Sequence, residues 1–359
     1  MSLLPAVEID FSALRHNLGV ARRHAPASRV MAVVKADGYG HGLLEVAKAL
    51  DGADAFAVAR VDEGVVLRRG APRKRILVLT GAHDQPELEA AADAGLELVV
   101  HHPAQLERLE SFSTKRPLRC WLKLDTGMHR LGFPAHEGAE RLAQLKALEA
   151  VAEVAGVLTH LANADDLADD YTRRQMARFE EATREMPLPR SAANSAAVLG
   201  WPDTHLDWVR PGIMLYGASP FAATQEELKP AMTFTAPLLS IKRVEKGASI
   251  GYGGDWTAPE AMPVAVVGAG YGDGYPREVP SGTSVLLRGR RVPLIGRVSM
   301  DSLILDLRSC PQAQVGDEVV LWGRGLPAEE IARAAGTIPY TLFCGITGRV
   351  RRRYREWAG

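Results

Sequence analysis

Residues 29–42 read RVMAVVKADGYGHG, an apolar run followed by a turn rich in glycine. The four apolar residues before Lys35 predict a strand that is buried on both faces. Lys35 ends this strand, and three glycines then allow the backbone to pass close to a ligand. A lysine at this position either attacks an aldehyde from a partly dry pocket or only extends its charged end into water.

Seven further runs of this kind follow, separated by stretches with helical spacing. The eight runs are RVMAVVKA (29–36), AFAVAR (55–60), RILVLT (75–80), LELVVH (96–101), LRCWLKLD (118–125), VAGVLTH (154–160), RSAANS (190–195) and VRPGIMLYG (209–217). Strands of a parallel sheet covered by helices are apolar on both faces, so this alternation predicts an α/β fold. Eight such units in about 200 residues favour a (β/α)8 TIM barrel. The alternative is an open doubly wound sheet.

The pattern changes after about residue 222, where short strand patterns lie between turn residues. Segments such as PVAVVGAGY and DSLILDL indicate an all-β domain, in which only GLPAEEIARAAG reads as a helix. We therefore predict a barrel domain over residues 11–222 and a C-terminal β-strand domain over residues 223–359. AVEID near the start also predicts a strand, and we expect residues 1–10 to join the C-terminal domain.

The charge and cysteine content limit the possible functions. Lys and Arg number 43 and Asp and Glu number 43, a balance that argues against a nucleic-acid binder and a membrane-surface protein. The three cysteines form no CxxC pattern, so neither a disulfide framework nor a metal site is expected. No apolar run reaches the ~20 residues of a membrane helix, and the first residues do not resemble a signal peptide. We expect a cytoplasmic protein that has no nucleic-acid or membrane partner.

VVKADGYGHG resembles the cofactor-lysine motif of the alanine racemases, fold-type III enzymes that use pyridoxal 5'-phosphate (PLP). Eight further blocks match family blocks in the same order, over nearly the whole chain. They are KLDTGMHRLGF (123–133), THLANAD (159–165), AANSAA (192–197), VRPGIMLYG (209–217), GYGGDW (251–256), GYGDGYPR (270–277), GRVSMD (296–301) and PYTLFCGI (339–346). The resemblance implies a barrel followed by a β domain, and a homodimer with shared active sites. It also implies an enzyme that interconverts L- and D-alanine and supplies D-alanine for peptidoglycan.

The resemblance implies two opposed acid/base groups, one on each face of the alanine Cα. Lys35 would hold PLP and act as the base for the D face, and Tyr252 of the other subunit would act on the L face. His160 and Arg210 would link Tyr252 to the cofactor, with Arg210 facing the ring nitrogen. Arginine keeps its proton, so the ring nitrogen stays unprotonated and transamination is disfavoured. Read alone, His160 is typical of a satisfied core histidine and Tyr252 of a turn aromatic. Arg210 alone would pair with a carboxylate such as Asp207.

The remaining family contacts also match positions in this chain. Expected PLP contacts are Tyr39, His160, Asn194, Ser195, Arg210, Gly212, Ile213 and Tyr340. Expected substrate-binding residues are Arg130, Met300 and Asp301, and the corridor for substrate is expected at Asp165, Tyr271 and Arg277. Asn194 and Ser195 read alone as a helix cap. Lys123 matches a lysine that is carbamylated in many family members, which would create an anion able to hold Arg130.

Three other functions remain open at this level. A racemase of broader range, acting for example on serine, would differ by only ~1–3 kcal/mol of pocket energy, although Tyr340 and the corridor tyrosines favour alanine. A non-catalytic PLP-binding protein would resemble the barrel alone. A fold-type III decarboxylase would need a catalytic cysteine, and Cys344 lies close to Tyr340 in the sequence.

Overall fold

The computed structural model describes residues 4–71 and 73–356, which form two compact units. The barrel unit contains residues 15–215 and 219–223, and the β unit contains residues up to Leu14, residues 216–218 and those from Thr224 onward. The boundaries at 11–222 and 223–359 stay a prediction, and residues 1–3 of the expected N-terminal segment and 357–359 of the C-terminal domain lie outside the described residues.

The bounds of the elements are as follows. The helices are α1 (Phe11–His24), α2 (Lys35–Tyr39), α3 (Leu43–Ala49), α4 (Val61–Gly70), α5 (Gln85–Ala94), α6 (Pro103–Ser111), α7 (Gly138–Ala147), α8 (Tyr171–Thr183), α9 (Ser195–Gly200), α10 (Ala328–Ala334) and α11 (Pro339–Cys344). The first ten strands are β1 (Ala6–Asp10), β2 (Arg29–Val33), β3 (Ala55–Val58), β4 (Arg75–Val78), β5 (Glu97–Val100), β6 (Leu118–Asp125), β7 (Phe133–Pro134), β8 (Val151–Leu158), β9 (Arg190–Ser191) and β10 (Trp208–Val209). The remaining strands are β11 (Met232–Val244), β12 (Ser249–Ile250), β13 (Trp256–Thr257), β14 (Met262–Val267), β15 (Ser284–Leu287), β16 (Arg290–Ile295), β17 (Leu303–Asp306), β18 (Glu318–Trp322) and β19 (Arg351–Arg355).

The barrel unit contains a closed ring of eight parallel strands. In order around the ring they are β2, β3, β4, β5, β6, β8, β9 and β10, and β10 pairs back with β2. Each of these strands overlaps one of the eight predicted runs, although β10 shares only Val209 with its run, so the TIM barrel is confirmed and the open doubly wound sheet is wrong. Strand β3 is buried at every position, as a strand between a barrel interior and a layer of helices must be.

The amino-terminal end of the ring is closed by an ion pair and two tryptophans. Glu97 begins β5, where it accepts hydrogen bonds from Arg75 Nε at 2.6 Å and from Trp121 Nε1 at 2.7 Å. The Arg75 guanidinium also lies 5.0 Å from the ring centre of Trp208. This end of the barrel is filled, which leaves the carboxyl ends of the strands as the place for a site.

The β unit is built on an eight-stranded sheet in the order β14-β17-β16-β15-β18-β11-β1-β19. Strand β14 also pairs with β11, so six of the strands close into a ring. The predicted strand AVEID is β1, which pairs antiparallel with β11 and parallel with β19. The predicted helix in GLPAEEIARAAG contains α10, whereas α11 was not predicted. Among the described helices, none is both long enough and apolar enough to cross a membrane.

Candidate functional site

Lys35 lies just beyond β2, at the carboxyl end of the barrel strands. The segment that it begins, α2, has left-handed backbone: φ is 53° at Ala36, 54° at Asp37, 61° at Gly38 and 53° at Tyr39. Left-handed conformation costs roughly 1–2 kcal/mol for each residue with a Cβ, so this turn must be held by other contacts.

Glu63, on α4, provides one such contact. Its Oε1 accepts the backbone N–H of Ala36 at 2.6 Å, and its Oε2 accepts those of Ala59 at 2.8 Å and Arg60 at 3.2 Å. Within the turn, Asp37 Oδ1 accepts the first N–H of α3 at 2.8 Å. Glu63 thus ties the residue after Lys35 to the loop that follows β3.

Arg210 follows β10 and is buried. It donates from Nη1 to Ser191 Oγ at 2.5 Å and from Nη2 to the Thr159 carbonyl at 2.6 Å, and Nη2 lies 3.4 Å from His160 Nδ1. Among the described residues no carboxylate lies within ion-pair distance of Arg210. Asp207 instead accepts a backbone N–H of β9 at 2.7 Å, so the pair with Asp207 is not formed. Burial lowers the pKa of Arg210 to about 10, which leaves it protonated at neutral pH.

Lys35, Lys123, Arg130 and Arg210 form a cation cluster around His160. Burial, and then Arg210 and Arg130, lower the pKa of Lys123 to about 8, while Asp125 acts in the opposite direction. Burial and the same cations hold the pKa of His160 well below its ordinary value, so the imidazole is neutral at pH 7. A buried concentration of positive charge of this kind suits an anionic ligand.

Ser195 and Gly212 meet beside this cluster. Ser195 Oγ accepts the N–H of Gly212 at 2.8 Å, and its hydroxyl hydrogen has no acceptor among the described residues. A Cβ on Gly212 would lie 2.6 Å from Tyr39 Oη, so only glycine allows this close approach. Ile213 begins a 3-10 turn, whose first N–H groups have no partner within the turn. Asn194 caps α9, as its reading as a helix cap predicted.

Two predicted residues of the barrel unit lie in exposed loops. Arg130 lies between β6 and β7, in a loop where Asp125 Oδ1 accepts the backbone N–H groups of Gly127 at 2.8 Å and His129 at 3.1 Å. Asp165 lies between β8 and α8. The structure therefore gathers Lys35, Lys123, His160 and Arg210 at the strand ends. The charge of Arg130 reaches this cluster from its exposed loop, whereas Asp165 is not part of the cluster.

The remaining six predicted residues belong to the β unit. Tyr252 is 70% exposed and begins a short 3-10 turn, and Tyr340 lies in α11. Tyr271, Arg277, Met300 and Asp301 are exposed in loops.

Arg349 joins two of these loops. It donates from Nη2 to Asp301 Oδ1 at 2.7 Å, and its Nε lies 3.3 Å from Oδ1 of the buried Asp273. The backbone adds the bond from the Tyr271 N–H to the Ser299 carbonyl at 3.1 Å. The loop with Tyr271 and the loop with Asp301 are therefore held together within this unit.

Sequence reasoning missed Glu63, Arg349 and Gln175. Gln175 shares the buried side of α8 with Met176 and Phe179. A polar residue at a core position of an amphipathic helix was the available signal. For Arg349, and for the bond between Glu63 and Ala36, the sequence offers no comparable signal, because the partners lie far along the chain. The bonds of Glu63 to Ala59 and Arg60 are local and belong to the first turn of α4.

The chain is similar over nearly its whole length to known proteins and to solved structures. The family model "Alanine racemase, N-terminal domain" matches residues 9–220, and "Alanine racemase, C-terminal domain" matches residues 231–354. An alanine racemase of Nitrosococcus oceani is 54% identical over 351 residues, which cover 97% of this chain and 98% of that protein. The crystal structure of biosynthetic alanine racemase from Pseudomonas aeruginosa is 44% identical with a TM-score of 0.95, covering 99% of this chain and 100% of its own. Alanine racemase from Bartonella henselae with covalently bound pyridoxal phosphate is 29% identical with a TM-score of 0.90, covering 99% and 100%.

Proposed function

Since the chain belongs to the alanine racemase family and interconverts L- and D-alanine, we propose that it does so with PLP and two opposed acid/base residues. Lys35 binds the cofactor and serves the D face of the alanine Cα. Tyr252 of the partner subunit serves the L face. Two groups on opposite faces are the simplest way to remove a proton from one side and return one to the other.

The residues of the barrel mouth fit an anionic cofactor with an aldehyde. Lys35 supplies the amine, and the cation cluster supplies positive charge. Phosphate would be held by Ser195, Gly212 and Ile213 together with Tyr39 and Tyr340, with Asn194 adjacent. Bound there, PLP withdraws electrons and acidifies the proton on Cα.

Arg210 is the observation that carries this proposal. Its guanidinium is buried among a hydroxyl, carbonyls and His160, and no carboxylate of the described residues neutralises it. Facing the ring nitrogen of the cofactor, it would donate a hydrogen bond but keep its proton, because its pKa stays near 10. Because the ring nitrogen would then stay unprotonated, the proton removed from Cα would be returned to Cα and the amino group would not be transferred.

His160 connects Arg210 to the L-face base. It is neutral at pH 7 and accepts at Nδ1 from Arg210, which puts its own hydrogen on Nε2. That N–H would stabilise the deprotonated oxygen of Tyr252. A free tyrosine has a pKa of about 10 and is a poor base without such a donor.

Substrate would be held by residues from both subunits of the dimer. Arg130 would bind the alanine carboxylate, with Met300 and Asp301 contributed by the partner subunit, and a carbamylated Lys123 would hold Arg130. Asp165, Tyr271 and Arg277 would line the corridor. A non-catalytic PLP-binding protein is less well supported, because the C-terminal family model covers the domain that carries Tyr252. A broader-specificity racemase is less well supported because the similar proteins are named alanine racemases.

We propose a homodimer with shared active sites. Tyr252, Tyr271 and Met300 are large and exposed in the β unit, and such groups are typical of interaction surfaces. The D-alanine formed would serve peptidoglycan synthesis in the cytoplasm, and the three cysteines are free, as a reducing compartment requires.

Mixed dimers test this proposal. Lys35→Ala and Tyr252→Ala are each expected to be inactive alone. In a randomly reassociated mixture, half of the dimers are hybrids with one intact site out of two, so about one quarter of the activity should return.

A second mixture is the matched control. Lys35→Ala mixed with Arg210→Ala should recover nothing, since both residues belong to the same barrel mouth and no hybrid site is intact. Equal recovery in the two mixtures, or none in either, would contradict a site that is shared between subunits.

A further inference from the structure

We propose that Gln175, on helix α8, is a positioning residue that fixes His160 and Arg210 in register with the loop that carries Arg130. The inference rests on the roles proposed above for His160 and Arg210. It follows from the hydrogen bonds that Gln175 makes inside the barrel unit.

Gln175 is fully buried, and each atom of its amide has a partner of the correct kind. Its Oε1 accepts the N–H of Ala162 at 2.8 Å, and its Nε2 donates to the carbonyl of His160 at 3.0 Å and to Thr126 Oγ1 at 3.3 Å. A backbone N–H only donates and a carbonyl only accepts, so the amide can take one orientation. Gln175 therefore fixes the conformation of the loop after β8 and also fixes the distance between that loop and Thr126, which follows β6.

Two routes lead from Gln175 to Arg210. The first passes through His160, whose carbonyl accepts from Gln175 and whose Nδ1 lies 3.4 Å from Arg210 Nη2. The second passes through the hydroxyls of Thr126 and Thr159, which lie 2.8 Å apart, and the Thr159 carbonyl accepts from Arg210 at 2.6 Å. Displacement of Gln175 would release both routes together.

Other residues of α8 hold one of these loops but not the other. Tyr171 Oη donates to the Gly127 carbonyl at 2.7 Å, and Arg178 Nη1 donates to the Thr126 carbonyl at 3.0 Å. Both contacts fix the loop after β6 against the helix. Gln175 binds this loop and also the loop after β8, so it fixes the position of one loop relative to the other.

The choice of glutamine at this position is explained by these bonds and not by packing. Neighbours on the buried side of α8 are apolar, such as Met176 and Phe179, and methionine would fill nearly the same volume. Burying an amide is unfavourable unless its hydrogen bonds are made. Gln175→Met therefore removes three bonds while it preserves the packing.

The test compares the two half-reactions of the enzyme loaded with PLP. In deuterated water, deuterium enters L-alanine through the L-face base and D-alanine through Lys35. The exchange ratio is the initial rate for L-alanine divided by that for D-alanine. If Gln175 positions His160 and Arg210, Gln175→Met should lower this ratio by roughly ten- to hundredfold, because misplacement by about 1 Å has effects of that size.

Gln105 provides the matched control. It is a buried glutamine on α6 whose Oε1 accepts the N–H of His101 at 2.9 Å and whose Nε2 donates to the Thr80 carbonyl at 3.1 Å. Gln105→Met should lose comparable stability but keep the exchange ratio of the unaltered enzyme. Equal ratios in Gln175→Met and Gln105→Met would overturn the proposal, since a purely structural glutamine slows both half-reactions alike.

Two further variants keep the outcomes distinct. If Gln175→Met does not fold, Thr126→Val decides: it cuts the second route, and an unchanged ratio would overturn the proposal. His160→Gln should itself lower the ratio. If it does not, the proposed role of His160 is wrong and the inference fails with it, whereas a shift in His160→Gln without one in Gln175→Met rejects Gln175 alone.

Discussion

Lys123 gives a prediction whose magnitude follows from its burial. It lies on β6, is 8% exposed, and has a pKa of about 8 in place of the ordinary 10.5. At 1.36 kcal/mol per pKa unit, protonated Lys123 destabilises the folded state at neutral pH by about 3 kcal/mol. Carbamylation would remove this penalty, because it converts a buried cation into an anion beside Arg130 and Arg210.

The lowered pKa also favours the modification itself. At pH 7 about one Lys123 in ten is neutral, against roughly one in three thousand at the ordinary pKa. The neutral amine attacks the carbon of CO2, an N–C bond forms, and one proton leaves the nitrogen for solvent. The product is a carbamate with one negative charge.

Thermal unfolding at pH 7 measures the effect. Protein stripped of CO2 and then supplied with bicarbonate should gain melting temperature, by ~2–4 °C for each kcal/mol recovered. Labelled 13CO2 should give a carbamate signal in 13C NMR. Lys123→Met should show neither the signal nor the dependence on bicarbonate.

The pH dependence of the stripped form has a defined sign. Between pH 8 and 10.5 the unfolded state binds more protons at this lysine, so the free energy of unfolding should rise with pH across that interval. A melting temperature that ignores bicarbonate, with no 13C signal above that of Lys123→Met, would refute the reasoning. An unmodified lysine with chloride bound beside it would refute it as well.

Three further substitutions have outcomes that the contacts determine. Glu63→Gln removes the charge from the bonds to three backbone N–H groups and should lower the free energy of unfolding by about 1–3 kcal/mol and weaken PLP binding, measured by denaturation and by cofactor titration. Glu97→Gln leaves Arg75, its partner at the closed end of the barrel, without a negative counter-charge and should lower the free energy of unfolding by about 3 kcal/mol. The exposed Glu153→Gln should change that free energy by no more than about 0.5 kcal/mol. Nearly equal losses for the two variants in urea unfolding would contradict this. Gly212→Ala places a Cβ 2.6 Å from Tyr39 Oη and should raise the Kd for PLP, and an unchanged Kd would show that Tyr39 is not a phosphate contact.

The barrel could be predicted because its signal is local. Each strand is an apolar run, and even the polar run RSAANS falls on β9, because its place in the alternation and not its composition identifies it. The seventh strand is only two residues long, so a composition search would have missed it. Lys35 could be placed at the barrel mouth because parallel strands bring the residues at their carboxyl ends to one place. The other residues of the mouth were assigned through the family resemblance.

The conformation after Lys35 could not be predicted from the sequence. Glycine at position 38 hints at a turn, but Ala36, Asp37 and Tyr39 are also left-handed, which residues with a Cβ rarely adopt. That conformation persists only because distant groups hold it, and Glu63 is one of them. The helix α11 escaped prediction for a different reason: its six residues contain β-branched and aromatic residues that favour strands as well.

Two of the residues missed by sequence reasoning, Glu63 and Gln175, share one physical role, which explains why they were missed. Both lie on barrel helices and reach the loops at the carboxyl ends of the strands, where they bind backbone N–H groups or carbonyls. Each such bond contributes about 1 kcal/mol, too little to shape the fold but enough to hold one loop conformation. The side chains that touch a ligand are recognisable by their chemistry, whereas glutamate and glutamine are ordinary surface residue types. Here Glu63 is half-buried and Gln175 is fully buried. A polar residue on the buried stripe of a barrel helix is therefore the pattern by which further residues of this kind can be sought, with the mouth loops as the expected partners.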